Sequence, residues 1–209
     1  RGGRIASVEL KDYKTYKNTP LMLFYPENSH FGLKLFTNRE IDTGDFFFTT
    51  DLSEAAPTVV ENENGTEVSF KLYADSASYV EFLYTIPKDN YMINYAVRFE
   101  NMENIISRTQ SDMMFTWQSV APQNEKGFTN ENNYTTLAYK YPDEESFESL
   151  GMSDKDRSEQ VNVAMKWVAF KQQFFSSIFV ADNSFQNGQV KFDTFKPETG
   201  NIKDFNAQL

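Results

Sequence analysis

The chain contains no cysteine and a single histidine among its 209 residues. The first absence excludes disulfides, thiolate nucleophiles and cysteine metal sites, and the second excludes the multi-histidine sites that zinc prefers. Positive charge is also scarce: 20 Lys and Arg stand against 30 Asp and Glu, for a net charge of -10. A nucleic-acid partner needs a basic stripe to displace counterions from phosphates, so none is expected. Anionic headgroups would repel this surface as well. Long apolar runs are missing too. Gln172 to Ala181 is the most apolar stretch, and its four polar residues and short length leave it far from the ~18 uncharged residues of a membrane span.

What is abundant is aromatic: Phe 20, Tyr 11 and Trp 2. Aromatic and β-branched side chains suit a pleated, half-buried surface, which predicts strands. The dominant period is two. Val68, Phe70 and Leu72 alternate with Glu67, Ser69 and Lys71, and Val80, Phe82, Tyr84 and Ile86 follow. Tyr91, Ile93, Tyr95, Val97 and Phe99 form a third run, with weaker alternation at Val8 and Leu10, at Phe31, Leu33 and Leu35, and at Val190, Phe192 and Thr194. Phe46-Phe47-Phe48 reads as a strand covered on both faces. Asn64-Gly65 after Thr58-Val59-Val60, Pro87-Lys88-Asp89-Asn90 and Asn187-Gly188 supply the turns. Short links between strands imply antiparallel pairing, so an all-β antiparallel sandwich in one domain, 1–209, is expected. Residues 125–159 read as a polar surface excursion, with a short helix predicted from Pro142 and Asp143 and stopped by Gly151.

Candidate chemistry is thin. His30 sits at a loop-to-strand junction without an acidic neighbour in sequence, and reads as an ordinary edge residue. Glu61, Glu63 and Glu67 around Asn64-Gly65 lack the ligand ladder of a calcium loop, and read as a charged hairpin tip. Asp143, Glu144, Glu145 and Glu148 are sequence neighbours rather than a pair converging across a cleft, as glycosidases require. Gly2-Gly3 has no following Lys-Ser/Thr to make a phosphate loop. No catalytic residue, metal site or cofactor is expected. Aromatics able to stack on sugars keep a carbohydrate-binding or mutarotase-like module open as the alternative.

One segment is distinctive: Lys166-Trp167-Val168-Ala169-Phe170-Lys171-Gln172-Gln173-Phe174-Phe175. It resembles the Trp-Val-Ala…Gln-Gln-aromatic-Phe signature in the large periplasmic domain of YidC-type bacterial membrane protein insertases. The Arg1-Gly2-Gly3 start, the Lys88-Asp89-Asn90-Tyr91 hairpin and Tyr141-Pro142-Asp143-Glu144 resemble further landmarks of that domain, in order. The resemblance implies a galactose mutarotase-like β-supersandwich and an accessory periplasmic role at the bacterial inner membrane. It also implies contacts with accessory subunits of the Sec translocon and with nascent membrane proteins. Against that pattern the chain is expected to be a piece of a longer protein, incomplete at both ends. Trp167, Gln172, Gln173 and Phe174 are the candidate binding residues. Their structural reading is that Trp167, Phe170, Phe174 and Phe175 supply buried area while the two glutamines satisfy backbone groups at a bend. The functional reading is a groove-lining patch that receives extended peptide or a partner's edge strand.

Overall fold

The computed structural model describes residues 1–52 and 65–209. Thr58-Val59-Val60, Glu61, Glu63 and Asn64 lie outside the described residues. In chain order the strands are β1 (Glu9–Lys14), β2 (Pro20–Met22), β3 (Ser29–Phe36), β4 (Glu40–Asp42) and β5 (Thr49–Thr50). Then come β6 (Thr66–Tyr73), β7 (Tyr79–Ile86), β8 (Asn94–Glu100), β9 (Met114–Pro122) and the helix α1 (Phe128–Tyr134). The rest are β10 (Thr136–Lys140), β11 (Glu148–Ser149), β12 (Arg157–Val161), β13 (Met165–Lys171), β14 (Ser176–Phe185), β15 (Gly188–Thr194) and β16 (Asn201–Gln208). The fold is all-β and the pairing antiparallel. It forms two compact units: Arg1–Arg4 with Gly32–Met113, and Ile5–Phe31 with Met114–Leu209.

In the first unit the order β5-β6-β7-β8 makes one sheet. β7 is its centre, with Val80, Phe82 and Tyr84 buried, as their alternation predicts. Phe82 packs on Phe48 and Tyr95, and the Tyr84 hydroxyl donates to the Gly3 carbonyl at 2.9 Å. Gly3 has φ +56, and a Cβ there would fall 2.7 Å from the Phe48 ring, so only glycine fits. The expected strand through Phe46-Phe47-Phe48 is corrected. The Phe46 N–H closes a turn on Thr43, its carbonyl accepts from Gly2, and Phe47 is exposed. With those backbone groups committed to turn contacts, no ladder forms there among the described residues.

The second unit is a sandwich. One layer has the order β12-β15-β16-β9 and the other β11-β10-β13-β14. Leu137 and Tyr139 of β10 and Val168 and Phe170 of β13 meet Val190, Phe192, Phe205 and Ala207 of β15 and β16. The short Asn187 link joins β14 to β15 across layers rather than as a hairpin, because each pairs with a different strand. Gly188 follows the link, where a Cβ would lie 2.6 Å from the Gln208 carbonyl.

The helix in the polar excursion is α1, not a helix from Pro142. Ala138 pairs with Ser149 and Tyr139 with Glu148, so the ladder captures that segment before a two-turn helix could nucleate. The excursion also hides a core strand, since Leu137, Ala138 and Tyr139 of β10 are buried.

α1 is tied to β16 by Lys203, which is completely buried. Its ammonium donates to the carbonyls of Asn132 and Thr135 at the end of α1 and lies 4.1 Å over the Phe192 ring. Carbonyls at a helix C-terminus and an aromatic face both attract a cation. Burial nevertheless pushes the Lys203 pKa down to about 8. Between that value and the ordinary lysine value the unfolded chain binds more protons than the folded one, so stability rises with pH across this window. Tyr84, Tyr95 and Tyr139, whose pKa values burial raises, act in the opposite sense only above about pH 10. Urea denaturation should therefore show wild type gaining about 2 kcal/mol on Lys203→Met between roughly pH 7.5 and 9.5. A constant gap would contradict this.

Candidate functional site

The turn between β13 and β14 gathers most of the distinctive motif. Lys171 pairs with Ser176, and the turn closes through the Gln172 N–H donating to the Phe175 carbonyl at 2.8 Å. The Gln172 side chain is buried and uses both ends of its amide. Nε2 donates to the Leu23 carbonyl and Oε1 accepts from Asn124 Nδ2, each at 2.9 Å. A glutamate could not donate, and a leucine could do neither. Gln172 thus holds three segments together: its own turn, the chain after β2 and the loop before α1.

That loop is fixed a second time by Glu131 of α1, whose carboxylate accepts from the backbone N–H groups of Asn124 and Glu125 at 2.8 and 3.1 Å. Burial raises the Glu131 pKa against the pull of those two bonds. The Tyr16 N–H donates to the Asn124 carbonyl, bringing the β1–β2 hairpin to the same point.

With the backbone pinned, the aromatics separate. Phe175 packs edge-on against Tyr13 at 5.0 Å between centroids. Phe174 stands 66% exposed. Tyr13, Lys14, Leu21, Glu125, Phe174 and Phe175 line an open depression of about 330 Å³. Its two exposed rings and apolar floor suit a hydrophobic side chain, with one ammonium and one carboxylate at hand to orient a polypeptide.

The four candidate residues therefore divide. Gln172 satisfies backbone at the bend, as expected. Gln173 has a buried Oε1 that finds no partner among the described residues. Phe174 lines the depression and contributes little to the core, contrary to the structural reading, because the turn turns it outward. Trp167 lies on the outer face of β13, half-buried beside Phe147 at 6.0 Å, and is not among the lining residues. Phe170 supplies the core burial that the motif promised. Tyr13, Lys14, Leu21 and Glu125 were not anticipated, since a weak Val8–Leu10 alternation marks that hairpin and nothing in sequence links it to position 174. His30 is half-buried in β3, Glu67 is exposed in β6, and Asp143, Glu144, Glu145 and Glu148 are exposed. Among the described residues no three acidic or histidine side chains gather as a metal site.

The division predicts opposite mutational outcomes. Gln172→Leu leaves the Leu23 carbonyl and the Asn124 amide unpaired in the interior and should cost about 2–5 kcal/mol in urea denaturation. Phe174→Ala should change stability by less than about 0.5 kcal/mol. Equal costs would refute the split.

Comparison with known proteins agrees with the resemblance carried by the Trp167–Phe175 segment. The family model described as the YidC periplasmic domain matches residues 1–208. The membrane protein insertase YidC of Bacteroides fragilis is 33% identical over 210 residues, covering 100% of this chain and 32% of that protein. The protein of the same name from Phocaeicola vulgatus is also 33% identical, with the same coverage. That of Porphyromonas gingivalis is 32% identical over 192 residues, covering 91% of this chain and 29% of its own length. The chain spans about a third of the length of these curated relatives. Across both compact units and the motif alike, then, this chain belongs to the family of YidC periplasmic domains.

Proposed function

We propose that the chain is an accessory periplasmic domain of a membrane protein insertase, working through protein–protein contacts and performing no chemistry. The observation that carries this reading is the contrast within the matched motif. Gln172 locks the turn while the neighbouring Phe174 is presented to solvent over an apolar depression. Exposed aromatics on a rigid frame give large contact area at low ordering cost, as binding surfaces use them. The two compact units act as one periplasmic domain in this reading, supported by a single family match that runs through both. The parent protein sits in the bacterial inner membrane. Nascent membrane proteins and accessory subunits of the Sec translocon are its partners, and no nucleic acid or cofactor takes part.

A second reading, a sugar-binding module, draws on the same exposed Tyr13 and Phe174 rings. A photo-crosslinking residue at position 174 of the full-length insertase in membranes separates the two. Adducts to a nascent membrane protein or to a Sec accessory subunit are expected, with no binding on a glycan array. Phe174→Asp should reduce adducts from a crosslinker at position 13 several-fold. Glycan binding without polypeptide adducts would overturn the proposal in favour of the second reading.

A further inference from the structure

The walls of the depression beside Phe174 select a charge as well as an apolar group. Two pairs of chain neighbours line it, Tyr13 with Lys14 and Phe174 with Phe175. In a regular strand such neighbours face opposite ways. Here Phe174 and Phe175 sit in the turn after β13, and β1 shifts its register on β2 between Leu10 and Lys14. A bulge of this kind re-aims side chains, so the Tyr13 ring and the Lys14 stem share one depression. Three rings thus surround the buried Leu21, with Phe174 66% and Tyr13 50% exposed and Phe175 edge-on to Tyr13. Ring faces attract cations, and methylene stems lie well against them.

Glu125 closes one side. Its N–H donates to Glu131 Oε2 at 3.1 Å and its carbonyl accepts from Gln123 Nε2 at 3.0 Å, so its backbone is held at both ends. No hydrogen bond or ion pair engages its carboxylate among the described residues. Glu131 stands behind it: burial chiefly raises the Glu131 pKa, and the Glu125 charge raises it further. Two carboxylates are therefore near enough to repel, and Lys14 is the one cation in the lining to oppose them. Lys14 is exposed, and its flexible stem lets the ammonium swing into water. The net charge of -10 adds a field that draws cationic partners towards the molecule. A volume of about 330 Å³ is at the low end for a ligand site, room for one long side chain and the backbone beside it.

We propose that the depression receives one arginine side chain from an extended polypeptide. Its methylene stem lies over Leu21 beside the Tyr13 and Phe174 rings, and its guanidinium meets the Glu125 carboxylate. Lys14 donates to a backbone carbonyl of the same segment. Arginine suits the site better than lysine, because a planar, weakly hydrated guanidinium stacks on rings and pairs with a carboxylate through two N–H groups. This rests on the reading that the domain works by protein contacts around Phe174, and names the residue those contacts select.

The test titrates the isotopically labelled 209-residue chain with the peptide Gly-Ser-Thr-Arg-Thr-Ser-Gly and with counterparts carrying Lys, Gln or Leu at the centre. Amide shifts should be confined to the walls of the depression. The arginine peptide should bind about tenfold more tightly than the glutamine peptide, and several-fold more tightly than the lysine peptide. Raising the salt from about 50 to about 500 mM should remove most of that preference. Glu125→Gln keeps the side-chain shape and should bring the arginine peptide within about twofold of the glutamine peptide. Lys14→Glu should act in the opposite sense and tighten the arginine peptide several-fold. An otherwise unchanged amide spectrum shows that both variants fold. The proposal is overturned by equal affinity for the arginine and glutamine peptides, by tightest binding of the leucine peptide, by a preference that survives Glu125→Gln, or by no binding. Displacement of the arginine peptide by phosphatidylethanolamine vesicles overturns it too, assigning the depression to a lipid headgroup. Any of these results with polypeptide crosslinks from position 174 intact removes the arginine and leaves the accessory role standing. An arginine preference without those crosslinks does the reverse.

Discussion

The second unit depends on one ring. Phe170 of β13 lies between Trp117 of β9 and Phe205 of β16, with centroids 3.7 and 4.9 Å away and planes within 19° and 13° of parallel. Because β13 belongs to one layer and β9 and β16 to the other, this stack bridges the two sheets at the middle of their shared core. Each ring buries a large apolar area, and offset stacking adds a directional preference that aliphatic packing lacks. The stack therefore fixes the lateral position of β13, and with it everything that β13 leads into.

What β13 leads into is a polar clamp. Two residues after Phe170, Gln172 fastens its own turn to the chain after β2 and to the loop before α1, while Glu131 fastens that loop to α1 and Lys203 holds the end of α1. These are buried polar groups with defined partners, and such networks specify one arrangement where apolar packing tolerates several. The charged members carry a cost, visible in the raised pKa of Glu131 and the lowered pKa of Lys203. That cost is accepted where position matters more than stability.

Much of this was legible in the sequence, and the limits were physical. Strict alternation announced β6 and β7 because every second side chain there is apolar. The motif at Trp167–Phe175 announced the family. It did not announce that Phe174 is exposed, since an aromatic looks the same in sequence whether a turn points it in or out. β10 was hidden because two apolar residues, Leu137 and Tyr139, sit between polar runs and become core only when β13 pairs beside them. Pro142 and its carboxylates spelled a helix start, and a two-residue ladder with β10 overrode it. The depression was beyond reach, because Tyr13 and Phe174 meet only through bonds made by Asn124 and Gln172.

The arrangement also explains why a matched motif combines conflicting residues. A surface that holds extended polypeptide needs apolar groups in water, which tend to collapse inward or to aggregate. Placing Phe174 two residues after a locked glutamine and four after the central stacked ring prevents collapse, because its backbone cannot follow it inward. The inner face of β14 is held in the same way, with Phe179 packing on Phe31, Phe115 and Trp117. At Phe174 the interior is specified tightly so that the exterior can remain unsatisfied.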